Sequence, residues 1–336
     1  MNGARSPYPA GHSMETDDAA IHNDDFRLAN GLTGEALTIP SANPRNFHQA
    51  ISNTGAMPGQ DLRAKLFLPE GPGPHPVVII APGSLGLQLH HTQIAAAICG
   101  GDIAACAIDP FSTRSVVTTV HNQVQFSFAA SAWDVLAAAE VLAAHPDIDP
   151  DRIGAQGHSR GGSAVLNAAS VHLAAAAGAP KLIGVYAAYP WSGQQFLDPS
   201  VGATRVRAII GDRDDWCPPV QVQAHIHAIR ASGGDASVRI VPGANHSFDR
   251  TSPLEYIPEA SVTPGAPTFY IADDGAFILP TSDEPDPELV DRDGFLYSIE
   301  AGFGVRGARI SGNPDLVPVF YEDMMTFWTD VMSLDG

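Results

Sequence analysis

Short apolar runs alternate with longer amphipathic or alanine-rich stretches along most of the chain. Apolar runs of about four to eight residues are typical of buried strands, and they predict strands at residues 35–39, 61–68, 77–81, 103–108, 152–156, 182–187, 206–210 and 237–241. The longer stretches predict helices at residues 89–99, 124–144, 162–177 and 220–231. Strands that alternate with helices predict an α/β fold, in which helices flank both faces of a mostly parallel central sheet.

The two ends of the chain differ in pattern. Residues 1–30 are polar and contain too little apolar surface to offset the entropy of ordering, so they predict a loosely attached arm. A last helix is predicted with Asn313 as N-cap and Pro314 at its first position, ending near residue 332 and packing on the sheet. We expect residues 31–336 to form a single domain, because this length is common for one α/β domain.

The composition of the chain excludes several classes of binding partner. The net charge of −19 repels phosphate backbones and anionic lipid, so neither nucleic acid nor a membrane is an expected partner. The first residues lack the basic start and apolar core of a signal peptide, which favours a cytoplasmic location. The cysteines and histidine pairs do not have the spacing of a metal site, so we expect no metal and no cofactor.

Residues 157–161 read Gly-His-Ser-Arg-Gly between a predicted strand and a predicted helix. With 32 glycines in the chain, this motif alone is weak evidence. Its context is that of a nucleophile elbow, a sharp turn that exposes a serine hydroxyl at the end of a strand. Ser159 is therefore the candidate nucleophile.

A serine nucleophile needs a histidine to accept its proton and a carboxylate to orient that histidine. His246 follows the predicted strand 237–241, and Asp212, Asp214 and Asp215 follow the strand 206–210. Loops at the carboxyl ends of parallel strands converge on one crevice, so these side chains are expected to meet Ser159. We favour Asp214, because this loop resembles the acid loop of α/β-hydrolases, while solvated turn or capping roles suit the other two.

Acyl transfer also needs two backbone N–H groups that stabilise an oxyanion. Arg160, directly after the candidate nucleophile, provides the first. The loop after strand 77–81 provides the second, with Ser84 favoured and Leu85 as the alternative.

Residues 252–312 form an insertion between His246 and the last helix, longer than a closing loop requires. Part of it predicts a hairpin, with apolar runs at 268–271 and 276–279 around an Asp-Asp-Gly turn. Because it leaves directly after the histidine, the insertion either shapes or covers a pocket, or it is a surface elaboration or dimer contact.

Over residues 61–250 and the last helix, the chain resembles the dienelactone hydrolase family of α/β-hydrolases. The motifs that carry the resemblance are Pro74-His75-Pro76-Val77-Val78-Ile79, Ile108-Asp109-Pro110-Phe111, Gly157-His158-Ser159-Arg160-Gly161-Gly162 and Pro242-Gly243-Ala244-Asn245-His246-Ser247-Phe248. Dienelactone hydrolases use a cysteine nucleophile and a glutamate in the oxyanion loop. Here the nucleophile is a serine and the loop reads Pro-Gly-Ser, which favours a serine carboxylesterase branch of the family.

The resemblance also implies substrate-binding residues. Arg114 and Arg250 stand at places similar to those where the family's arginines bind a substrate carboxylate. The alternative is that each pairs with local acids, for example Arg250 with Asp249 or Glu255. Four further side chains are expected to line the pocket. His158 precedes the nucleophile, Leu85 lies in the oxyanion loop, and Trp191 and Trp216 follow strands. For the two tryptophans, a packing role is the alternative.

Taken together, the sequence predicts a serine hydrolase that cleaves carboxylic esters or lactones through an acyl-enzyme. Short acyl groups are expected in its small-molecule substrate. Two alternatives use the same residues: a hydrolase-fold binding protein with little turnover, and an acyltransferase. A homodimer is left open.

Overall fold

The apolar runs of the sequence form the strands of one large sheet in the computed structural model, which describes residues 20–333. The strands are β1 (Glu35–Ala42), β2 (Gly59–Phe67), β3 (His75–Ala81), β4 (Ala104–Asp109), β5 (Ile148–His158), β6 (Gly184–Ala188), β7 (Gln194–Phe196), β8 (Arg205–Gly211), β9 (Ala236–Val241), β10 (Glu255–Val262), β11 (Phe269–Ile271), β12 (Phe277–Ile278) and β13 (Val305–Ile310). The helices are α1 (Phe47–Ser52), α2 (Leu89–Cys99), α3 (Phe128–Ala143), α4 (Arg160–Ala168), α5 (Val171–Ala177), α6 (Pro219–Ala231), α7 (Asp291–Glu300) and α8 (Val317–Met332).

The large sheet has the strand order β1-β2-β4-β3-β5-β6-β8-β9. Neighbours from β4 to β9 pair in parallel, whereas β2 is antiparallel to both β1 and β4. Every residue of β3 is buried, as expected for a parallel strand with helices on both faces of its sheet. The predicted α/β fold with a mostly parallel sheet is therefore confirmed.

The last helix packs on the sheet through Trp328, which is fully buried. Its indole Nε1 donates a hydrogen bond of 2.7 Å to the side-chain oxygen of Gln156 on β5. A Cβ atom at Gly154 would overlap the ring of Trp328, so the absence of a side chain there lets α8 approach the strand. Asn313 is an N-cap, because its side chain accepts a hydrogen bond from the N–H of Asp315. The helix that it caps is a 3₁₀ turn, Pro314–Leu316, and α8 begins only after this turn.

The helix predictions differ from the structure in two places. The stretch 162–177 forms two helices, α4 and α5, which are separated at residues 169–170. The predicted helix 124–144 begins only at Phe128, because the side chain of Ser127 caps it by accepting a hydrogen bond from the N–H of Ala130. Among residues 20–333, none of these helices has the length and apolarity that crossing a bilayer requires.

The expectation of a loosely attached arm is wrong for residues 20–30. Ile21 and Leu28 are each only 3% exposed, and Lys65 donates a hydrogen bond of 2.7 Å to the carbonyl of Asn23. His22 contacts the carboxylate of Asp109 at 2.9 Å. A few apolar side chains and these polar contacts attach the segment to the domain. The other arm residues, 1–19, lie outside the described part of the chain.

The insertion forms two small sheets and a helix beside the carboxyl ends of the parallel strands. Strands β10 and β13 pair antiparallel, and the predicted hairpin is present as β11 and β12, with Tyr270 opposite Ile278. The structure extends this hairpin by pairing β11 in parallel with β7, which follows the sheet strand β6. The N–H of Ser311 donates to the carbonyl of His246 at 2.7 Å, so the insertion begins and ends next to the histidine.

Candidate active site

Ser159 lies in the sharp turn between β5 and α4, with φ 54° and ψ −115°, a conformation that strains a residue with a side chain. The two glycines of the motif make this turn feasible. A Cβ atom at Gly157 would overlap the backbone of Gly161, and one at Gly161 would overlap the carbonyl of Ala81 on β3. The structure therefore contains the strand-turn-helix context that the motif requires.

Ser159, His246 and Asp214 form a chain of hydrogen bonds. The Oγ atom of Ser159 lies 3.0 Å from Nε2 of His246, and Nδ1 of the same ring lies 2.8 Å from Oδ2 of Asp214. The carboxylate side chain is fully buried and that of the histidine is 3% exposed. This geometry places a proton acceptor at the serine hydroxyl and an orienting carboxylate behind it.

The loop after β8 fixes Asp214 through its second oxygen. Oδ1 accepts hydrogen bonds from the N–H groups of Trp216 and Cys217, each at 2.9 Å. The ring of Trp216 stacks on His246, with 5.3 Å between centroids and 16° between planes. The carboxylate and the imidazole are therefore each fixed from two sides.

The two neighbouring aspartates have other partners. Asp212 is exposed and accepts a hydrogen bond from the N–H of Gly243 at 2.7 Å. Asp215 pairs with Arg309 of the insertion at 2.8 Å. Of the three candidates, the structure brings only Asp214 to the histidine.

Two cavities meet at Ser159. The larger has a volume of about 80 Å³, is open to solvent, and has walls that include Phe128, Trp191, Trp216, Phe269 and Phe295. The smaller, of about 20 Å³, is lined by residues that include Leu85, His158, His246 and Arg250. Ser84 and Trp216 border both cavities, whereas Arg160 borders only the larger one.

The side chain of Arg160 is buried beside the larger cavity. Its guanidinium donates hydrogen bonds to the carbonyls of Gln123 and Phe126 at 2.7 and 2.6 Å, and lies over the rings of Phe126 and Phe128. Burial lowers the pKa of this group to about 10, which still leaves it charged at neutral pH. The backbone of Arg160 is thus fixed by its own side chain.

The two predicted carboxylate-binding arginines differ in their surroundings. Arg114 borders neither cavity and forms an ion pair of 2.7 Å with the buried carboxylate of Asp134. The structure therefore does not bring it to Ser159, and its charge is neutralised by a buried partner. Arg250 borders the smaller cavity, and its Nε atom is buried without a hydrogen-bond partner. The neighbouring Asp249 accepts a hydrogen bond from the hydroxyl of Tyr189 at 2.8 Å.

His158 borders the smaller cavity from its buried side, where its ring contacts the rings of His90 and His91. Burial lowers the pKa of His158 to about 4, and it lowers the pKa of His90 and of His91 well below the ordinary value. These imidazoles are therefore neutral at pH 7, and the cationic group at this cavity is the guanidinium of Arg250.

The sequence indicates some further residues of the site and misses others. Cys217 comes three residues after Asp214, which indicates a place close to the site, and it borders the larger cavity. Burial, followed by the charge of Asp214, raises the pKa of its thiol well above the ordinary value. The wall residues Val262, Phe269 and Phe295 carry no such signal, because they belong to the insertion.

One group of side chains in the described residues is compact enough for a metal ion. Donor atoms of Asp214, Cys217 and His246 lie within 4.8 Å of one another. Two of the three are already hydrogen-bonded to each other, and the third is a protonated thiol at neutral pH. The donor chemistry thus fits the hydrogen-bonded chain better than metal coordination.

The parallel sheet, the strained turn at Ser159 and the adjoining cavities define a hydrolase of the α/β-hydrolase fold. The sequence model of the dienelactone hydrolase family matches residues 62–264, more than half of the chain. The chain belongs to this family, which makes it a hydrolase of the ester or lactone type that acts on small-molecule substrates. No curated protein sequence matches the chain.

Similar solved structures include a putative dienelactone hydrolase from Klebsiella pneumoniae subsp. pneumoniae, at 19% identity over 65% of this chain and 91% of that chain, with a TM-score of 0.49. A hyperthermophilic esterase from the archaeon Pyrobaculum calidifontis has 15% identity over 69% of this chain and 80% of that chain, with a TM-score of 0.46. The carboxylesterase EstE1, cloned from a metagenomic library, has 15% identity over 69% and 84%, with a TM-score of 0.47.

Proposed function

We propose that the protein is a serine hydrolase that cleaves carboxylic esters or lactones through an acyl-enzyme. The observation that carries this proposal is the chain of hydrogen bonds from Ser159 through His246 to Asp214, at 3.0 and 2.8 Å. These distances are within the range over which a base abstracts a proton from a nucleophile.

The reaction has two halves. Ser159 Oγ attacks the ester carbonyl carbon while His246 Nε2 accepts the hydroxyl proton, and Asp214 stabilises the imidazolium that results. The tetrahedral intermediate then expels the alcohol, which takes the proton from His246, and the acyl group stays on the serine. Water attacks this acyl-enzyme with His246 again as base, which releases the acid and restores the serine.

Two backbone N–H groups stabilise the negative charge on the carbonyl oxygen in this proposal. Arg160 begins α4, so its N–H has no partner within the helix, and the positive end of the helix dipole lies at this point. Ser84, in the loop after β3, borders the same cavity. The side chain of Arg160 donates to two carbonyls and so holds the Arg160 N–H in place before the substrate binds. Oxyanion stabilisation requires donors that are positioned beforehand in this way.

The test is hydrolysis of p-nitrophenyl acetate by wild type, Ser159→Ala and His246→Ala. Loss of either group in a comparable triad lowers kcat by about 10⁶-fold, and we expect a loss of several orders of magnitude with the fold intact. Ser163→Ala is the matched control, since this serine lies one turn further along α4 and its hydroxyl donates to the carbonyls of Trp191 and Ser159, at 2.7 and 3.4 Å. Equal rates in wild type and Ser159→Ala would contradict the proposal.

Labelling with a fluorophosphonate separates an enzyme from a hydrolase-fold binding protein. The reagent phosphonylates a serine only where a neighbouring base activates it. We expect wild type and Ser163→Ala to be labelled, and Ser159→Ala to be unlabelled. A wild-type protein that binds small esters without reacting with the reagent would favour the binding protein.

We further propose that Arg250 favours substrates that carry a carboxylate. Support comes from its place at the smaller cavity, its unpartnered Nε atom and the engagement of Asp249 by Tyr189. The test compares methyl acetate with O-acetylglycolate and monomethyl succinate, which carry a carboxylate on the alcohol part and the acyl part. Arg250→Ala should lower kcat/KM about tenfold or more for an acidic ester, and an unchanged acidic preference would refute the role.

A further inference from the structure

The two cavities at Ser159 differ in size and in the side chains that border them. Most of the exposed wall of the larger cavity is apolar, and its aromatic side chains include Phe128, Trp191 and Phe295. The wall of the smaller cavity is also largely apolar, but imidazole rings and the guanidinium of Arg250 border it. An ester has two parts on either side of its carbonyl carbon, so each part must enter one of these spaces.

The position of His246 decides which part enters which cavity. The leaving alcohol must lie near this imidazole, because it takes its proton from Nε2. His246 borders the smaller cavity and is not part of the wall of the larger one. Arg160, an N–H donor to the carbonyl oxygen, borders only the larger cavity. The alcohol part therefore belongs in the smaller cavity, and the acyl part in the larger one.

Resting on the serine hydrolase mechanism proposed above, we propose that the larger cavity is an acyl chamber and that the preferred substrates are esters of bulky, apolar acids of about the size of an arylacetic acid. The volume of about 80 Å³ is several times the roughly 10–15 Å³ that one water molecule needs, so the cavity has room for a group of several heavy atoms, and its aromatic side chains favour an apolar one. An acetyl group would leave most of this apolar surface uncovered. The proposal thus departs from the short acyl groups expected from the sequence.

The insertion builds one side of this acyl chamber. Val262 and Thr263 come from the end of β10 and the residue after it, Phe269 from β11, and Phe295 from α7. The last two of these residues lie beyond residue 264, where the match to the family ends. Part of the substrate selection is therefore assigned to a segment of the chain outside the matched region.

Buried hydrogen bonds fix this wall in place. The carboxylate of Asp291, at the start of α7, accepts hydrogen bonds of 2.7 Å from the N–H of Phe128 and from the side-chain amide of Gln194. The N–H of Ser261 donates to the carbonyl of Val120 at 2.9 Å. Contacts of this kind attach the insertion to the sheet domain on two sides, so the acyl chamber is formed before substrate arrives.

The first experiment uses two isomeric esters, methyl phenylacetate and benzyl acetate, which exchange the bulky and small groups across the ester bond. Each kcat/KM is divided by the rate constant for hydroxide-catalysed hydrolysis, which removes the difference in intrinsic reactivity. We expect methyl phenylacetate to be preferred about tenfold or more, the discrimination typical of an apolar pocket. Equal values, or a preference for benzyl acetate, would overturn the assignment.

The second experiment fills the acyl chamber. Thr263→Phe adds a ring to its wall, and Val262→Phe is a second filling variant in case the first turns its side chain outward. We expect kcat/KM for methyl phenylacetate to fall about tenfold or more in at least one of them, while that for methyl acetate changes less than threefold. Thr281→Phe is the matched control and should resemble wild type, because Thr281 is an exposed residue of the insertion that borders neither cavity. A parallel loss on both esters, or no loss in either filling variant that folds, would refute the proposal.

The two proposals fail in different ways. If Ser159 reacts with a fluorophosphonate and methyl acetate is hydrolysed, but the isomeric esters show no preference or the reverse one, only the acyl chamber is refuted. If neither ester is hydrolysed and Ser159 is not labelled, the serine hydrolase mechanism fails and the acyl chamber fails with it.

Discussion

Replacing Asp214 by asparagine should disable the imidazole without disturbing the fold. The carboxylate Oδ1 accepts hydrogen bonds from the N–H groups of Trp216 and Cys217, each at 2.9 Å. An asparagine side chain satisfies these donors only with its carbonyl oxygen, so its NH₂ group faces Nδ1 of His246, 2.8 Å away. Nδ1 must then act as an acceptor, which moves the ring proton to Nε2.

That tautomer presents an N–H to Ser159, where the mechanism needs a base. The distance from Nε2 to Oγ, 3.0 Å, remains suitable for a hydrogen bond, but its direction is reversed. The corresponding change in a serine protease lowers kcat by about 10⁴-fold. We expect a similar loss here, which corresponds to about 5 kcal/mol of transition-state stabilisation at roughly 1.4 kcal/mol per factor of ten.

The assay is steady-state hydrolysis of p-nitrophenyl acetate, with the melting temperature recorded for each variant. Asp212→Asn is the matched control, because Asp212 is exposed and its bond to the N–H of Gly243 needs only an acceptor oxygen, which asparagine provides. We expect this control to stay within about twofold of wild type, as for most exposed substitutions. The reasoning is refuted if Asp214→Asn keeps more than a tenth of wild-type kcat/KM, or if the control loses as much.

Two further predictions concern stability. Burial lowers the pKa of His158 to about 4 from an ordinary 6.5, so between these values the unfolded chain binds more protons than the folded one. The free energy of unfolding should therefore fall by about 2 kcal/mol between pH 7 and pH 5 from this residue alone; a flat profile in urea titrations would contradict the assignment. Gly154→Ala places a methyl group against the ring of Trp328 and should cost about 1–3 kcal/mol in the same titration. Gly55→Ala meets no atom within 4 Å and is the control; equal effects would show that the contact is unimportant.

The sheet and the approach to Ser159 were predictable because both follow from local rules. Continuous apolar runs such as that of β3 are typical of buried parallel strands, and the paired glycines at 157 and 161 indicate backbone contacts too close for a side chain. Chain order then placed His246 at the same edge of the sheet. These inferences needed only spacing and residue type.

Other features depended on contacts between distant parts of the chain. Arg114 occupies the position that the resemblance implies, yet the nearest acid in space is Asp134, twenty residues later on a helix whose buried face reads as apolar. The start of α3 depended on the cap at Ser127. The sequence pattern does not mark this start, because apolar residues already occur at positions 124 and 126. Pairing choices of this kind depend on tertiary contacts, and a pattern of residue types carries no record of them.

In the two proposals, the chemistry and part of the substrate selection fall in different segments of this chain. The residues proposed for chemistry, from Ser84 to His246, all lie within the region 62–264 that matches the family. Part of the acyl chamber wall, including Phe269 and Phe295, follows that region. A relative that shares only the matched region would lack this part of the wall. The family match indicates which type of bond is cleaved, but it does not indicate which acyl or alcohol group is recognised. For this chain, the preferred substrate must therefore be argued from the insertion and its contacts.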